Sequence, residues 1–215
     1  HLLHTIAKKE YRIGFSATAL LSIGGFMMMP FGSAFAVNNL KITQEQLPIL
    51  FMVAGISTLI VMPIIGRISD MYDKFRIFAL ASLWMVLVVL FYTNLGPSPF
   101  WLVMVFNVLM MAGIMGRMVP SVALTSAIPD MSDRGAFMSI NASLQQIAGG
   151  FAAAIGGMIV VQKDKFSPLE HYNTLGYIVA TISLIAIFMI YRVSEMVKRR
   201  SGYKKVINEP VLVGE

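Results

Sequence analysis

One arginine and two amides stand out because they occur inside long apolar runs of the sequence. Arg117 lies in MMAGIMGRMVPSVALTSAIP, and Asn141 and Gln145 lie four residues apart in INASLQQIAGG. If these runs cross a bilayer, an ionised side chain within them faces a protein interior or a water-filled cavity. There, a guanidinium can bind an anionic ligand or a carboxylate, and an amide can donate and accept hydrogen bonds. The three residues are therefore candidates for lining a substrate or proton pathway.

Each candidate also has a purely structural explanation. Arg117 can brace the packing of helices, and Asn141 and Gln145, which share one helix face, can form interhelical hydrogen bonds that only hold a bundle together. None of the eleven acidic residues falls within an apolar run, so this chain offers Arg117 no carboxylate at matching depth. The sequence leaves both interpretations open.

The elements that hold these residues are six apolar segments. Of the 215 residues, 57% are hydrophobic and 13% are charged, whereas about a quarter of the residues of a soluble domain are charged. About 20 apolar residues in a helix cross the hydrocarbon core of a bilayer. We therefore predict an all-α membrane protein, a six-helix bundle over residues 13–193. The predicted spans are about 13–37, 48–65, 77–94, 100–128, 135–161 and 174–193.

Basic residues lie mainly on one side of these predicted helices. If the N-terminus is cytoplasmic, the cytoplasmic segments hold most of the seventeen Lys and Arg residues, and the opposite side holds Lys41, Lys163 and Lys165. This asymmetry places both termini in the cytoplasm. Residues 1–12 are then the end of a cytoplasmic linker, and residues 194–215 form a basic cytoplasmic tail.

Catalysis, metal binding and nucleic-acid binding find little support. The chain has no cysteine, and its histidines, His1, His4 and His171, lie outside the predicted spans. Neither a nucleophile–base pair nor a thiolate or histidine metal site can therefore form at bilayer depth. The positive charge follows membrane topology rather than a nucleic-acid surface. We predict no enzymatic activity, no cofactor and no bound metal.

A stripe of small residues follows the amides in the fifth predicted span. Gly149, Ala153 and Gly157 recur at four-residue spacing. Such spacing is typical of a helix surface that another helix approaches closely. We assign this stripe to helix packing.

The segment GRISDMYDKFR, residues 66–76, resembles a cytoplasmic loop motif of the major facilitator superfamily, G-x-[LIV]-[AS]-D-[RK]-x-G-[RK]-[RK]. The matching residues are Gly66, Ile68, Ser69, Asp70, Lys74 and Arg76. Met71 replaces a basic residue and Asp73 replaces a glycine. Arg117 and GGFAAAIGG resemble, in pseudo-symmetric positions, an intramembrane arginine and a glycine-rich motif of that family. The resemblance covers essentially the whole chain as the seventh to twelfth helices of a twelve-helix fold.

This resemblance implies a secondary active transporter that moves a small solute, in uptake or efflux, by alternating access. It implies H⁺ as the coupling ion and a preceding six-helix half of the same protein as the partner. It also implies a bacterial inner membrane and is nearest the drug and metabolite efflux branches. The alternative is a non-transporting six-span membrane scaffold or assembly protein.

The resemblance also assigns a cytoplasmic gate. Asp70 is expected to dock on the positive N-terminal end of a helix in the other half, while Lys74 and Arg76 face acidic groups or lipid phosphates. Asp133 and Arg134 are expected to form the reciprocal contact, with Ser132 or Asp133 capping the fifth span. The other interpretation is that the charges of both loops only fix topology.

Overall fold

Seven α-helices and one 3-10 turn form the computed structural model, which describes residues 8–208. They are α1 (Lys9–Phe26), the 3-10 turn (Met29–Phe31), α2 (Gly32–Asn38), α3 (Leu47–Met71), α4 (Lys74–Thr93), α5 (Phe100–Ser126), α6 (Arg134–Ile159) and α7 (Tyr172–Asn208). With α1 and α2 counted together, six segments are long and apolar enough to cross a membrane. The part of the chain described has no β-strand beyond an isolated bridge between Val161 and Glu170. The predicted all-α membrane fold with six spans is confirmed.

The helices extend beyond the predicted spans at several ends. Helix α3 continues to Met71, so most of the loop motif belongs to the last turns of a helix, and α7 continues to Asn208. Hydropathy marks the part of a helix inside hydrocarbon, whereas a helix with polar residues can continue into water. Of the predicted linker and tail, residues 1–7 and 209–215 lie outside the described residues.

The first span is broken between α1 and α2. The 3-10 turn at this break contains Pro30 at its second position, and proline lacks the N–H that a continuous helix needs there. Helix α6 lies directly against the break, because a Cβ atom at Gly156 would be only 2.6 Å from the carbonyl oxygen of Met27. The glycine is therefore required for this close approach.

The six spans pack in an open row. Helix α1 packs on α6 and α7, α4 packs on α7 and α5, and α5 also packs on α3. The order along the row is therefore α6, α1, α7, α4, α5, α3. Exchanging the first three spans with the last three reverses this row without changing any neighbour. Because the two sets cross the membrane in opposite directions, the bundle is an inverted repeat of the kind found in transporter folds.

Two apolar clusters hold the row together. One contains Tyr11, Phe78 and Phe137 and lies at the end of the bundle that carries Lys8 and Asp133, which we call the basic end. The other lies at the opposite end, where the rings of Phe35 and Tyr172 stack with their centres 4.1 Å apart. Helix α3, at one end of the row, buries only Leu50, Ser57 and Ser69. Helix α3 thus presents the largest uncovered face among the six spans.

Candidate functional site

Arg117 is buried in α5 with unused hydrogen-bond donors. It lies about 14 Å along the axis from the end of that helix, at 1.5 Å per residue. The residue is only 9% exposed, and its guanidinium carbon lies 5.9 Å from the centre of the Phe78 ring on α4. The ring attracts the charge, but Nε and Nη2 have no hydrogen-bond partner in the described part of the chain. Arg117 therefore keeps donors available for another group.

The position of Arg117 is fixed by close contact between α5 and α4. A Cβ atom at Gly116 would lie 2.7 Å from the Cβ atom of Ala81, and one at Gly113 would lie 3.0 Å from the sulfur of Met85. Both glycines therefore bring the two helix backbones together beside the arginine. This close packing places Arg117 beside Phe78 on α4.

Asn141 and Gln145 lie on α6, away from the helices that pack on α5. Asn141 is half-buried, and its Oδ1 has no partner among the described residues, whereas Gln145 is exposed. Because Nε and Nη2 of Arg117 are also without partners, the structure does not join these three candidates by hydrogen bonds. Further polar side chains of α6 are exposed along the same part of the helix: Ser139, Ser143 and Gln146.

The small residues of α6 contact the broken first span on a face centred on Ala152. Gly149 lies against the ring of Phe26, where a Cβ atom would come within 3.0 Å, and Ala152 and Gly156 are buried. Ala153 is half-buried and Gly157 is exposed. Within this bundle, the packing face is therefore rotated by one residue from the predicted Gly149, Ala153 and Gly157 stripe.

Asp70 lies in the last turn of α3, and its side chain is exposed. Its side chain is 84% exposed, and the Nζ atom of Lys74 is 3.9 Å away. Lys74 instead donates a hydrogen bond to the carbonyl of Ser69 at 3.0 Å, which satisfies a backbone acceptor at the end of α3. A Cβ atom at Gly66 would have no neighbour within 4 Å. This face of α3 is thus uncovered.

Asp73, which replaces the glycine of the family motif, has two contacts of its own. It caps α4 by accepting the backbone N–H of Arg76 at 3.1 Å, whereas the Arg76 side chain is exposed. Its other oxygen lies 2.7 Å from Nζ of Lys198 on α7. The hydrogen bond from Lys198, reinforced by the backbone N–H, lowers the pKa of the Asp73 carboxyl below its usual 3.8. The departure from the motif therefore fastens this connection to α7.

Asp133 is buried at the start of α6 and is 4% exposed. It stands at the predicted N-cap position, although its side chain makes no capping hydrogen bond. The carboxylate instead accepts hydrogen bonds from Lys8 at 2.5 Å and from the Tyr11 hydroxyl at 3.1 Å. The bond to Asp133 raises the pKa of Lys8. Arg134, next along the chain, is exposed.

Arg200 joins a second connection to α7. Its guanidinium contacts the carboxylates of Asp130, at 3.3 Å, and Glu10, at 3.4 Å, and also donates to the carbonyl of Ile128. The sequence did not reveal that Lys198 and Arg200 pair with acids of the connections, because the basic tail was assigned to topology. It also did not reveal Lys8 and Tyr11 as partners of Asp133. The only sequence signal was that acids in the connections need basic partners on the same side.

The chain is an integral membrane bundle with inverted-repeat packing, and polar atoms of Arg117 and Asn141 lack hydrogen-bond partners among its described residues. A sequence model of the Major Facilitator Superfamily matches residues 14–212. The chain therefore belongs to the major facilitator superfamily, whose members are transporters rather than enzymes. A comparison with curated proteins finds no match.

We predict that Asp73→Asn lowers the free energy of unfolding at pH 7 by about 1 kcal/mol or less. Asparagine can still cap α4, so the change isolates the ion pair with Lys198. The pKa of Asp73 is lower in the folded protein than in the unfolded chain. The ion pair therefore stabilises the protein at pH values above the unfolded-state pKa. Its contribution is lost as the pH falls through the lowered pKa. Unfolding of the purified protein in detergent at pH 7 and below pH 3.8 measures both effects.

The control is Glu45→Gln, which removes an exposed carboxylate from the connection before α3. It should leave the free energy of unfolding unchanged at both pH values. An equal loss in the two variants, or a loss for Asp73→Asn that does not shrink in acid, would contradict the role of the Lys198 ion pair.

Proposed function

We propose that this chain is the C-terminal six-helix half of a secondary active transporter that moves a small solute by alternating access. The substrate path lies between this half and a preceding six-helix half of the same protein. The coupling ion is H⁺, the basic end faces the cytoplasm, and the membrane is the inner membrane of a bacterium. Family membership supports transport as the activity, and the positive-inside rule supports the orientation.

The observation that carries the proposal is the exposed polar face of α6. Ser139, Ser143 and Gln146 follow one another at helical spacing and share one face, whereas the exposed Gln145 lies about 100° around the helix from Gln146. Lipid tails cannot hydrogen-bond such groups, so this face must meet water or another helix. The exposed apolar residues of the same helix, Ile147, Phe151 and Ile155, lie on a different face that suits lipid. If a second half encloses an aqueous path along α6, the polar face contacts water and the apolar face contacts lipid.

Arg117 is the charged group of the proposed path. The acids of the described chain lie in the connections or near the ends of the spans, so none of them reaches this depth. The partner of the guanidinium is then an anionic group of the substrate or a carboxylate of a proton relay in the other half. Asn141 and Gln145 supply neutral hydrogen bonds on the α6 side of the path.

Asp70 is the proposed gate contact. Its exposed carboxylate can dock on the positive N-terminal end of a helix in the other half, close beside the uncovered Gly66. Lys74 holds the end of α3 in place, and Arg76 remains exposed toward the partner. On the reciprocal side, Asp133 anchors the start of α6 to Lys8, and Arg134 is presented outward. This latch stabilises the state closed to the cytoplasm.

We predict that Arg117→Met in the full-length protein reduces transport at least about tenfold and leaves the folded protein equally stable or more stable. An isolated buried guanidinium carries a desolvation cost that an apolar side chain of similar length avoids. Arg117→Lys should retain part of the activity, because it keeps the charge but loses the forked donors. Transport into vesicles and thermal unfolding in detergent measure the two properties.

A structural brace gives the opposite pattern. If Arg117 only held helices together, as in a non-transporting scaffold, Arg117→Met would lower stability and any loss of transport would follow from unfolding. Arg12→Gln, an exposed basic residue on α1, controls for a simple change in net charge and should leave transport and stability unchanged.

We predict that Asp70→Asn slows transport turnover severalfold and leaves the substrate dissociation constant nearly unchanged. A gate sets the rate of exchange between states, whereas the binding site sets affinity. Transport rate and equilibrium binding, measured on the same full-length preparation, separate these quantities. Normal turnover would show that the charge of Asp70 serves topology only.

A further inference from the structure

A groove opens at the basic end between α1 and α7, on a part of the surface unrelated to the proposed path. Its volume is about 480 Å³. Helix α1 contributes Glu10 and Ile13 to the lining, and α7 contributes Tyr191, Arg192 and Arg199 among others. The groove thus combines apolar side chains, a phenol and arginines at the level where a spanning helix leaves the hydrocarbon.

The side chains that line the groove include three arginines and two glutamates and so carry a net charge of +1. Arg200, which also lines it, is already paired with Glu10 and Asp130. Arg192 and Arg199 are exposed, and neither forms an ion pair in the described part of the chain. Glu195 lies between these two arginines on the same side of α7 and offsets one of them. The remaining single charge complements a singly charged anion such as a phosphodiester.

An apolar track leads from the arginines toward the middle of the membrane. Leu184 and Phe188 are exposed and precede Arg192 at four-residue spacing, so they lie along the same face of α7. Phe188 is 58% exposed, although the guanidinium of Arg192 lies 5.9 Å from its ring centre. Tyr191 is also exposed, and tyrosine at this level is typical of the membrane–water interface. The face therefore suits an acyl chain below a charged headgroup.

We propose that the groove between α1 and α7 binds one anionic glycerophospholipid. The phosphodiester lies between Arg192 and Arg199, and an acyl chain follows Leu184 and Phe188. The site requires only that α7 spans the membrane, so it stands independently of the proposed transport function.

Native mass spectrometry of the full-length protein can test this site, with phosphatidylglycerol and phosphatidylcholine of identical acyl chains as probes. Wild-type protein should bind one phosphatidylglycerol about fivefold more tightly than phosphatidylcholine, because one arginine charge remains after Glu195 offsets the other. The double variant R192Q/R199Q should lose this preference. Arg67→Gln removes an exposed arginine from α3, at the far end of the row, and should retain it.

A variant that gains affinity shows that the loss of binding in R192Q/R199Q is not caused by misfolding. Glu195→Gln removes the offsetting acid and should tighten phosphatidylglycerol binding severalfold. Equal binding of the two lipids, an equal loss in Arg67→Gln, or unchanged affinity in Glu195→Gln would overturn the proposal. Displacement of phosphatidylglycerol by equimolar inorganic phosphate would also overturn it, because the site would then select a free anion rather than a lipid.

Discussion

Hydrocarbon offers no hydrogen bonds, and this constraint determines which groups of the bundle can face lipid. The backbone meets it by forming helices. Many hydroxyls meet it by bonding to a carbonyl one turn earlier in their own helix, as Ser22, Ser57, Thr93 and Thr125 do. The donors of Arg117, Oδ1 of Asn141 and the exposed polar face of α6 do not meet it within the described chain. These groups therefore mark the places where the bundle faces water or another protein segment instead of lipid.

Ion pairs and hydrogen bonds at the basic end tie the connections between helices to the bundle. Lys198 fastens the connection after α3 to α7, and Arg200 fastens the connection after α5 to the same helix. Asp133 ties the start of α6 to α1 through Tyr11 and Lys8. Asp70 is left exposed on α3. In the proposed transporter, the internal contacts preserve the half as a unit, and the contact that forms and breaks is made by Asp70.

Hydropathy was sufficient to predict six spans, because the bilayer imposes length and apolarity on each one. It did not indicate that α3 continues to Met71 and α7 to Asn208, because polar residues can continue a helix beyond hydrocarbon. The sequence also predicted that Arg117 has no carboxylate partner at its depth in this chain, since no acid lies in any apolar run. The ion pairs of Asp133 and Arg200 were not predictable, because their partners lie 125 and 70 residues away in the chain. The close contact between Gly156 and the carbonyl of Met27 was not predictable either, because it lies at the break in the first span near Pro30.

Cysteine accessibility tests most directly whether the polar face of α6 lines an aqueous path. This chain has no cysteine, so single cysteines can be placed at Gln146 and at its neighbour Ile147 in a full-length protein whose other cysteines are changed to serine. The two positions are adjacent in sequence but about 100° apart around the helix. We predict that a membrane-impermeant, charged thiol reagent labels Gln146→Cys rapidly and leaves Ile147→Cys unlabelled. An inert Gln146→Cys, or equal labelling at both positions, would contradict the account.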